Sequence, residues 1–194
     1  MASRAHAFYL RATDGPAPLR ARYGSARGLA RLWLARLRPM GRFAEIDWDM
    51  VERLVFVCTG NVCRSPYAEA RARESGLAAV SAALRGAPGA LADAQAAAAA
   101  RAVGIDLAAH RAQTVDQVEV DRGDLLVAME PWQADALASR FAGRPGVQVT
   151  LLGLWSTPRR PHLHDPHRLC DDYFRTCFAV IDSAVAAMRR NLGR

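Results

Sequence analysis

The tightest constraint on this chain is the stretch Val55–Pro66, which reads Val-Phe-Val-Cys-Thr-Gly-Asn-Val-Cys-Arg-Ser-Pro. Leu54, Val55, Phe56 and Val57 form an unbroken apolar run, as expected of a strand covered on both faces of a parallel sheet. Pro66 suits the first turn of a helix, where its missing N–H has no partner to lose. A loop held between such a strand and such a helix gathers unpaired backbone N–H groups and the positive end of the helix dipole. That concavity favours an anion. Cys58 opens the loop, and Arg64 and Ser65 close it.

The same alternation continues downstream. Tyr67–Ser75 is read as a helix stopped by Gly76, and a short strand follows over Ala79–Ala82. The alanine-rich stretch Asp93–Val103 reads as a helix capped by Asp93 and closed by Gly104. Asp124–Met129 and Val147–Leu152 supply two more strands, with a helix over Pro131–Phe141 between them. A Pro-, His- and Arg-rich segment over Gly153–Arg168 reads as a flexible loop. Asp171–Arg190 then closes the chain as a helix with Phe174, Phe178, Ile181, Val185 and Met188 on its core face. The expected fold is a single three-layer α/β domain over 51–194, a four-stranded parallel sheet with helices on both faces. Ligands of such sheets bind at the carboxyl ends of the strands, where Cys58 falls.

Residues 1–50 stand apart as a basic N-terminal extension. All 26 basic residues of the chain are arginine, and the net charge is +7. Most of the excess lies before residue 51, and no aromatic RNA-binding motif or zinc-finger spacing accompanies it, which argues against a nucleic-acid partner. Residues 1–26 read as irregular or disordered. The spacing over 27–38 predicts an amphipathic helix, with Leu29, Leu32, Trp33 and Leu37 on one face and Arg27, Arg31 and Arg38 on the other. Two sets of readings are open for it: a basic interfacial helix for anionic lipid or a partner, or a helix packed on the domain or an upstream segment outside the working protein. Met50 could mark an alternative start. No signal-peptide core and no run of membrane-spanning length is seen, and the four cysteines follow no disulfide-scaffold spacing. A cytoplasmic location is the expectation, where a reactive thiol stays reduced.

The loop residues specify a chemistry. A thiolate is the nucleophilic form of cysteine, and a helix N-terminus, inward-facing N–H groups and a nearby Arg all favour it. Arg64 can grip two phosphate oxygens at once. Gly60 lets the backbone turn inward, Ser65 can hydrogen-bond the sulfur, and Asn61 can brace the loop. Together these parts describe in-line attack by Cys58 on a phosphoryl group, with Thr59, Gly60, Asn61, Val62, Cys63, Arg64 and Ser65 holding its oxygens. Arg64 and the loop amides carry the charge that a metal would otherwise offset. No metal or cofactor is expected, and His162, His164 and His167 have no diagnostic ligand spacing.

Cys-Thr-Gly-Asn-Val-Cys-Arg-Ser-Pro resembles the signature of the low-molecular-weight protein tyrosine phosphatases. The resemblance continues through Ala68-Glu69-Ala70, Val80-Ser81-Ala82, Gly104-Ile105-Asp106-Leu107 with His110, Met129-Glu130 and Asp165-Pro166, in order over about residues 53–190. It implies that Asp165 is the acid that protonates the departing tyrosine oxygen and then activates water. It further implies that Ser81 and His110 brace the loop beside Asn61 and Ser65, and that Cys63 can form a reversible disulfide protecting Cys58. The loop after Ser81 and the segment Trp155–Asp165 look most like the bacterial branch associated with exopolysaccharide synthesis. That likeness implies a phosphotyrosine-bearing protein substrate and a bacterial tyrosine kinase as partner.

The chain departs from the family where the substrate ring is held. His167 stands where an aromatic residue usually follows Asp-Pro, and Ala83–Ala90 contains no aromatic wall. Tyr67 and Trp132 are candidate substitutes. One rival reading is a thiol-dependent arsenate reductase using Cys170 and Cys177 as relay thiols, although packing inside the fold is the simpler role for both. Another is a non-catalytic phosphotyrosine-binding module.

Overall fold

The computed structural model describes residues 18–193. The expectation of irregular chain before residue 18 lies outside the described residues. Four parallel strands, β1 (Arg53–Cys58), β2 (Ala79–Ala83), β3 (Asp124–Ala128) and β4 (Gln148–Leu151), form one sheet in the order β2-β1-β3-β4. The chain moves from β1 outward to β2, then returns across β1 to β3. The carboxyl end of β1 therefore lies at the switch point of the sheet, where crossovers leave in opposite directions and open a crevice.

Strand pleating sorts β1 into two cores. Leu54, Phe56 and Cys58 face a cluster with Tyr67, Phe174, Phe178 and Ile181, while Val55 and Val57 face another with Leu126, Leu137 and Leu151. The long closing helix presents its Phe174–Met188 stripe to the first of these, as the sequence pattern requires. The helix after β1 begins at Arg64, ahead of the Tyr67 expected from sequence, and Pro66 sits inside its first turn. Asp93 caps the next helix, its Oδ1 accepting from Gln95 N and Ala96 N at 3.0 Å each.

The extension departs from its sequence reading. Leu19–Tyr23 is helical (α1), within the stretch expected to be irregular, followed by α2 (Ala26–Leu37) and α3 (Gly41–Ala44). Ser25 caps α2 by accepting from Gly28 N at 3.0 Å. The buried face of α2 is Gly28, Leu32 and Ala35, whereas Trp33 and Leu37, expected to pack with Leu32, are 57% and 79% exposed. Close approach explains the rotation. A Cβ at Gly28 would stand 2.9 Å from the His164 ring and 2.1 Å from Tyr23 O, so only glycine permits this contact. Phe43 of α3 is buried against Val55, Val57 and Leu151, and its carbonyl accepts from Thr150 Oγ1 at 2.6 Å.

In chain order the remaining helices are α4 (Arg64–Glu74), α5 (Ala94–Arg101), α6 (Pro131–Arg140) and α7 (Asp171–Asn191). Thr176 of α7 donates to Ala21 O at 2.7 Å, and Arg160 Nη1 donates to Arg22 O at 2.6 Å. These bonds hold the extension across the segment leading to Asp165. The segment 153–168 is correspondingly not a flexible loop: Arg160, His162 and Leu163 are buried. Among the described residues, no helix is long and apolar enough to cross a membrane.

Candidate active site

Cys58 ends β1, and its Sγ accepts from Asn61 N at 3.2 Å and from Ser65 Oγ at 3.0 Å. Asn61 adopts φ 54°, a left-handed conformation that asparagine tolerates better than most residues. Its polar groups are heavily engaged. Nδ2 donates to Ser65 Oγ at 2.9 Å and to Ser81 Oγ at 2.8 Å, and Oδ1 accepts from Gln113 N at 3.0 Å. The Asn61 carbonyl meets His110 Nε2 at 2.7 Å. Ser81 in turn donates to Glu69 Oε2 at 2.6 Å. The structure thus brings together Asn61, Ser65, Ser81 and His110 from three separate stretches of sequence. Thr59 Oγ1 accepts from Gln133 Nε2 at 3.1 Å, a tie between the loop and the start of α6.

Arg64 is fully buried. Its Nη1 donates to Glu130 Oε1 at 2.7 Å and to Leu163 O at 2.8 Å, and its Nη2 lies 2.8 Å from Asp165 Oδ2. Arg64 Nε has no hydrogen-bond partner among the described residues, an orphaned buried donor of the kind an oxyanion satisfies. Burial works against the guanidinium charge, but Asp165 and Glu130 outweigh it and hold Arg64 protonated. Burial likewise pushes the Glu130 carboxyl up, yet the Arg64 charge and hydrogen bond bring it below the ordinary carboxylate range. Asp165 remains partly accessible, with its side chain 39% exposed. Its Oδ1 accepts from His167 N at 3.3 Å.

Glu130 has no role assigned in the sequence reading, although Met129-Glu130 is part of the resemblance. The available signal is a carboxylate directly after a buried strand that neighbours β1, hence at the same sheet edge as Cys58. Gln133 and the Leu163 carbonyl are missed for a different reason, because only the fold brings them to the loop. Glu130 also accepts from Trp132 Nε1 at 3.2 Å and lies 3.9 Å from Arg31 of α2. Trp132 is half-exposed beside Arg85, whose backbone N donates to Thr59 O at 2.9 Å. Tyr67 is no ring wall: it is buried, stacked on Phe178 at 3.7 Å, and donates to Asp182 at 2.8 Å. Asp182 also accepts from Arg71 Nε at 2.8 Å.

The cysteines also sort themselves. Cys177 is buried, and burial raises its thiol to about 12, which disfavours a relay thiolate. Cys170 is exposed just before α7, not packed inside as expected, because only the residues after it turn inward. Cys63 Sγ, the Asp93 carboxylate and a His167 ring nitrogen lie within 4.8 Å of one another, close enough to share a cation.

His162 makes the buried segment sensitive to acid. Burial pushes its imidazole from 6.5 down to about 4, against the attraction of Glu130. The unfolded chain then takes up this proton at a higher pH than the folded one, so stability is complete above pH 6.5 and falls toward pH 4. The expected loss at pH 5 is about 2 kcal/mol. Urea midpoints measured in His162→Gln should flatten over that interval, and an unchanged slope would place the acid sensitivity elsewhere.

A thiol at a strand end, a helix N-terminus behind it and a buried guanidinium beside it define a site for a tetrahedral oxyanion. The family model described as low molecular weight phosphotyrosine protein phosphatase matches residues 53–194, and the chain belongs to that family. It is 36% identical to the "Probable low molecular weight protein-tyrosine-phosphatase EpsP" of Ralstonia nicotianae, over 71% of this chain and 94% of that protein. The crystal structure of Erwinia amylovora tyrosine phosphatase AmsI superposes with a TM-score of 0.66 at 26% identity, covering 77% of this chain and 99% of that one. The YwlE arginine phosphatase from Geobacillus stearothermophilus shares the fold, with a TM-score of 0.63 at 24% identity over 73% of this chain and 93% of its own.

Proposed function

We propose that this chain hydrolyses phosphotyrosine on proteins through a cysteinyl-phosphate, with Cys58 as nucleophile, Arg64 as phosphate clamp and Asp165 as general acid and base. The observation that carries this reading is that one loop holds Cys58 Sγ under two donors and a buried Arg64 already in contact with Asp165. In the first step the Cys58 thiolate forms an S–P bond as the P–O bond to tyrosine breaks, and the Asp165 carboxyl gives its proton to the phenolate oxygen. In the second, the Asp165 carboxylate takes a proton from water as that water attacks phosphorus. The S–P bond then breaks, releasing phosphate and the thiolate. Arg64 and the loop N–H groups hold the three equatorial oxygens throughout.

Trp132 is the side chain best suited to flank the substrate ring, since it is accessible beside Glu130 and Arg85. The chain's similarity to EpsP and AmsI supports a phosphotyrosine-bearing bacterial protein as substrate, with a tyrosine kinase as the proposed partner. Turnover of a phosphotyrosine peptide, a phosphoserine peptide and a sugar phosphate tests the assignment. Tyrosine should be strongly preferred, and equal rates on all three would remove it. Asp165→Asn should slow phenyl phosphate, a poor leaving group, by roughly 10²–10⁴-fold, and an activated nitrophenyl ester much less. Equal slowing of the two esters would argue against an acid role for Asp165.

A further inference from the structure

We propose that Cys63, Asp93 and His167 form an inhibitory site for Zn²⁺ at the mouth of the catalytic loop. The three ligand atoms lie within 4.8 Å of one another and come from three separate segments: the loop, the N-cap of α5 and the stretch following Asp165. A thiolate, a carboxylate and an imidazole suit zinc better than Mg²⁺ or Ca²⁺, which prefer oxygen alone.

The geometry is partly preformed. His167 Nδ1 stands 3.3 Å from Asp93 Oδ2, and two ligands at about 2.0 Å from one tetrahedral cation are separated by about 3.3 Å. Asp93 divides its work between its oxygens. Oδ1 accepts from Gln95 N and Ala96 N and so fixes the carboxylate, leaving Oδ2 toward His167. The Asp93 backbone N donates to Val62 O at 2.9 Å, tying this cap to the residue before Cys63. Closing Cys63 Sγ onto the cation takes a side-chain shift of about 1 Å.

Binding involves no redox change. Burial and the Asp93 carboxylate push the Cys63 thiol well above its ordinary range, so its proton leaves for solvent only as the S–Zn bond forms, alongside O–Zn and N–Zn bonds and with water in the fourth position. One thiolate and one carboxylate neutralise the bound cation, so the loaded site carries no net charge beside Arg64. The consequence is mechanical. His167 donates its backbone N–H to Asp165 Oδ1, so a cation on its ring fixes the Asp165 segment against the loop. Substrate entry and product exit across that opening then stop until a chelator removes the metal.

The proposal goes beyond the phosphatase reading, and its binding test does not depend on turnover. Full-length Cys58→Ser removes the other loop thiolate that could hold zinc. Competition with a chromophoric chelator should then show one zinc bound per chain. Adding His167→Phe or Cys63→Ser should weaken it at least roughly tenfold. Co²⁺ in place of zinc should show thiolate-to-metal charge-transfer absorption that Cys63→Ser abolishes. His167 is exposed, so its replacement leaves folding intact and tests the site even where a loop variant fails to fold. With Cys58 present, zinc should inhibit aryl phosphate turnover reversibly, and His167→Phe should need at least roughly tenfold more zinc. Loss of binding in Cys58→Ser alone, or equal zinc affinity with and without His167, would overturn the proposal.

Discussion

Cys58→Ser should lower aryl phosphate turnover by at least roughly 10⁴-fold, the scale on which removal of a covalent nucleophile falls. The proposed mechanism gives this residue a function that no neighbour can take over. Asn61 N at 3.2 Å and Ser65 Oγ at 3.0 Å both donate to its sulfur and favour the anion that attacks phosphorus. A serine hydroxyl in the same place has no free base to accept its proton: the site carboxylates Glu130 and Asp165 are paired with Arg64. The substitution is nearly isosteric and leaves the Asn61 network and Arg64 in place. Phosphate or vanadate should therefore still bind, as calorimetry can check. Retained binding with lost turnover assigns the loss to chemistry, whereas retained turnover would demand a different nucleophile. Loss of both would mean that the loop collapsed.

The difference between what the sequence discloses and what it hides has a physical basis. The β1 run, the loop and the N-cap at Asp93 are local patterns in which each residue's role depends on neighbours a few positions away. Such patterns survive in one dimension. Glu130 gains its role only because β3 lies beside β1, which places a carboxylate within 2.7 Å of Arg64 across 66 positions. The cluster Cys63, Asp93 and His167 is hidden for the same reason. The segment 153–168 misleads because its Pro, His and Arg content resembles a solvated loop. In the fold, burial of Arg160 and Leu163 is made tolerable by backbone partners: Arg22 O and Gly153 O for Arg160, and Met129 O for Leu163. Substrate choice is less legible still. An arginine phosphatase shares this fold, so the fold by itself does not say which phosphorylated group is presented.

A chain shortened to begin at Met50 should lose much of its stability and fail to hold Asp165 in place. Such a chain retains the whole of residues 53–194 matched by the family model, so homology alone argues that it should behave normally. The packing argues otherwise. Phe43 is buried against Val55, Val57 and Leu151 on one side of the sheet, and truncating a buried Phe costs about 3–5 kcal/mol. Leu32 is also buried, and its loss adds about 2–5 kcal/mol. Either alone is a large part of the roughly 5–15 kcal/mol that holds a typical domain together. The deletion also removes partners of the acid segment. Ser25 Oγ lies 3.2 Å from His164 Nε2, Gly28 packs on the His164 ring, Arg22 O accepts from Arg160, and Arg31 approaches Glu130. His164 directly precedes Asp165, so freeing it loosens the proposed acid more than the loop around Cys58. Two measurements separate these effects. Thermal unfolding of the shortened chain and of full-length Phe43→Ala should both show a marked fall. Full-length Gly28→Val, which forces α2 away from His164, should slow phenyl phosphate far more than an activated ester, as Asp165→Asn does. If the shortened chain melts with the full-length protein and keeps the same ratio of the two ester rates, the extension is an appendage after all, and its contacts with the acid segment carry no weight.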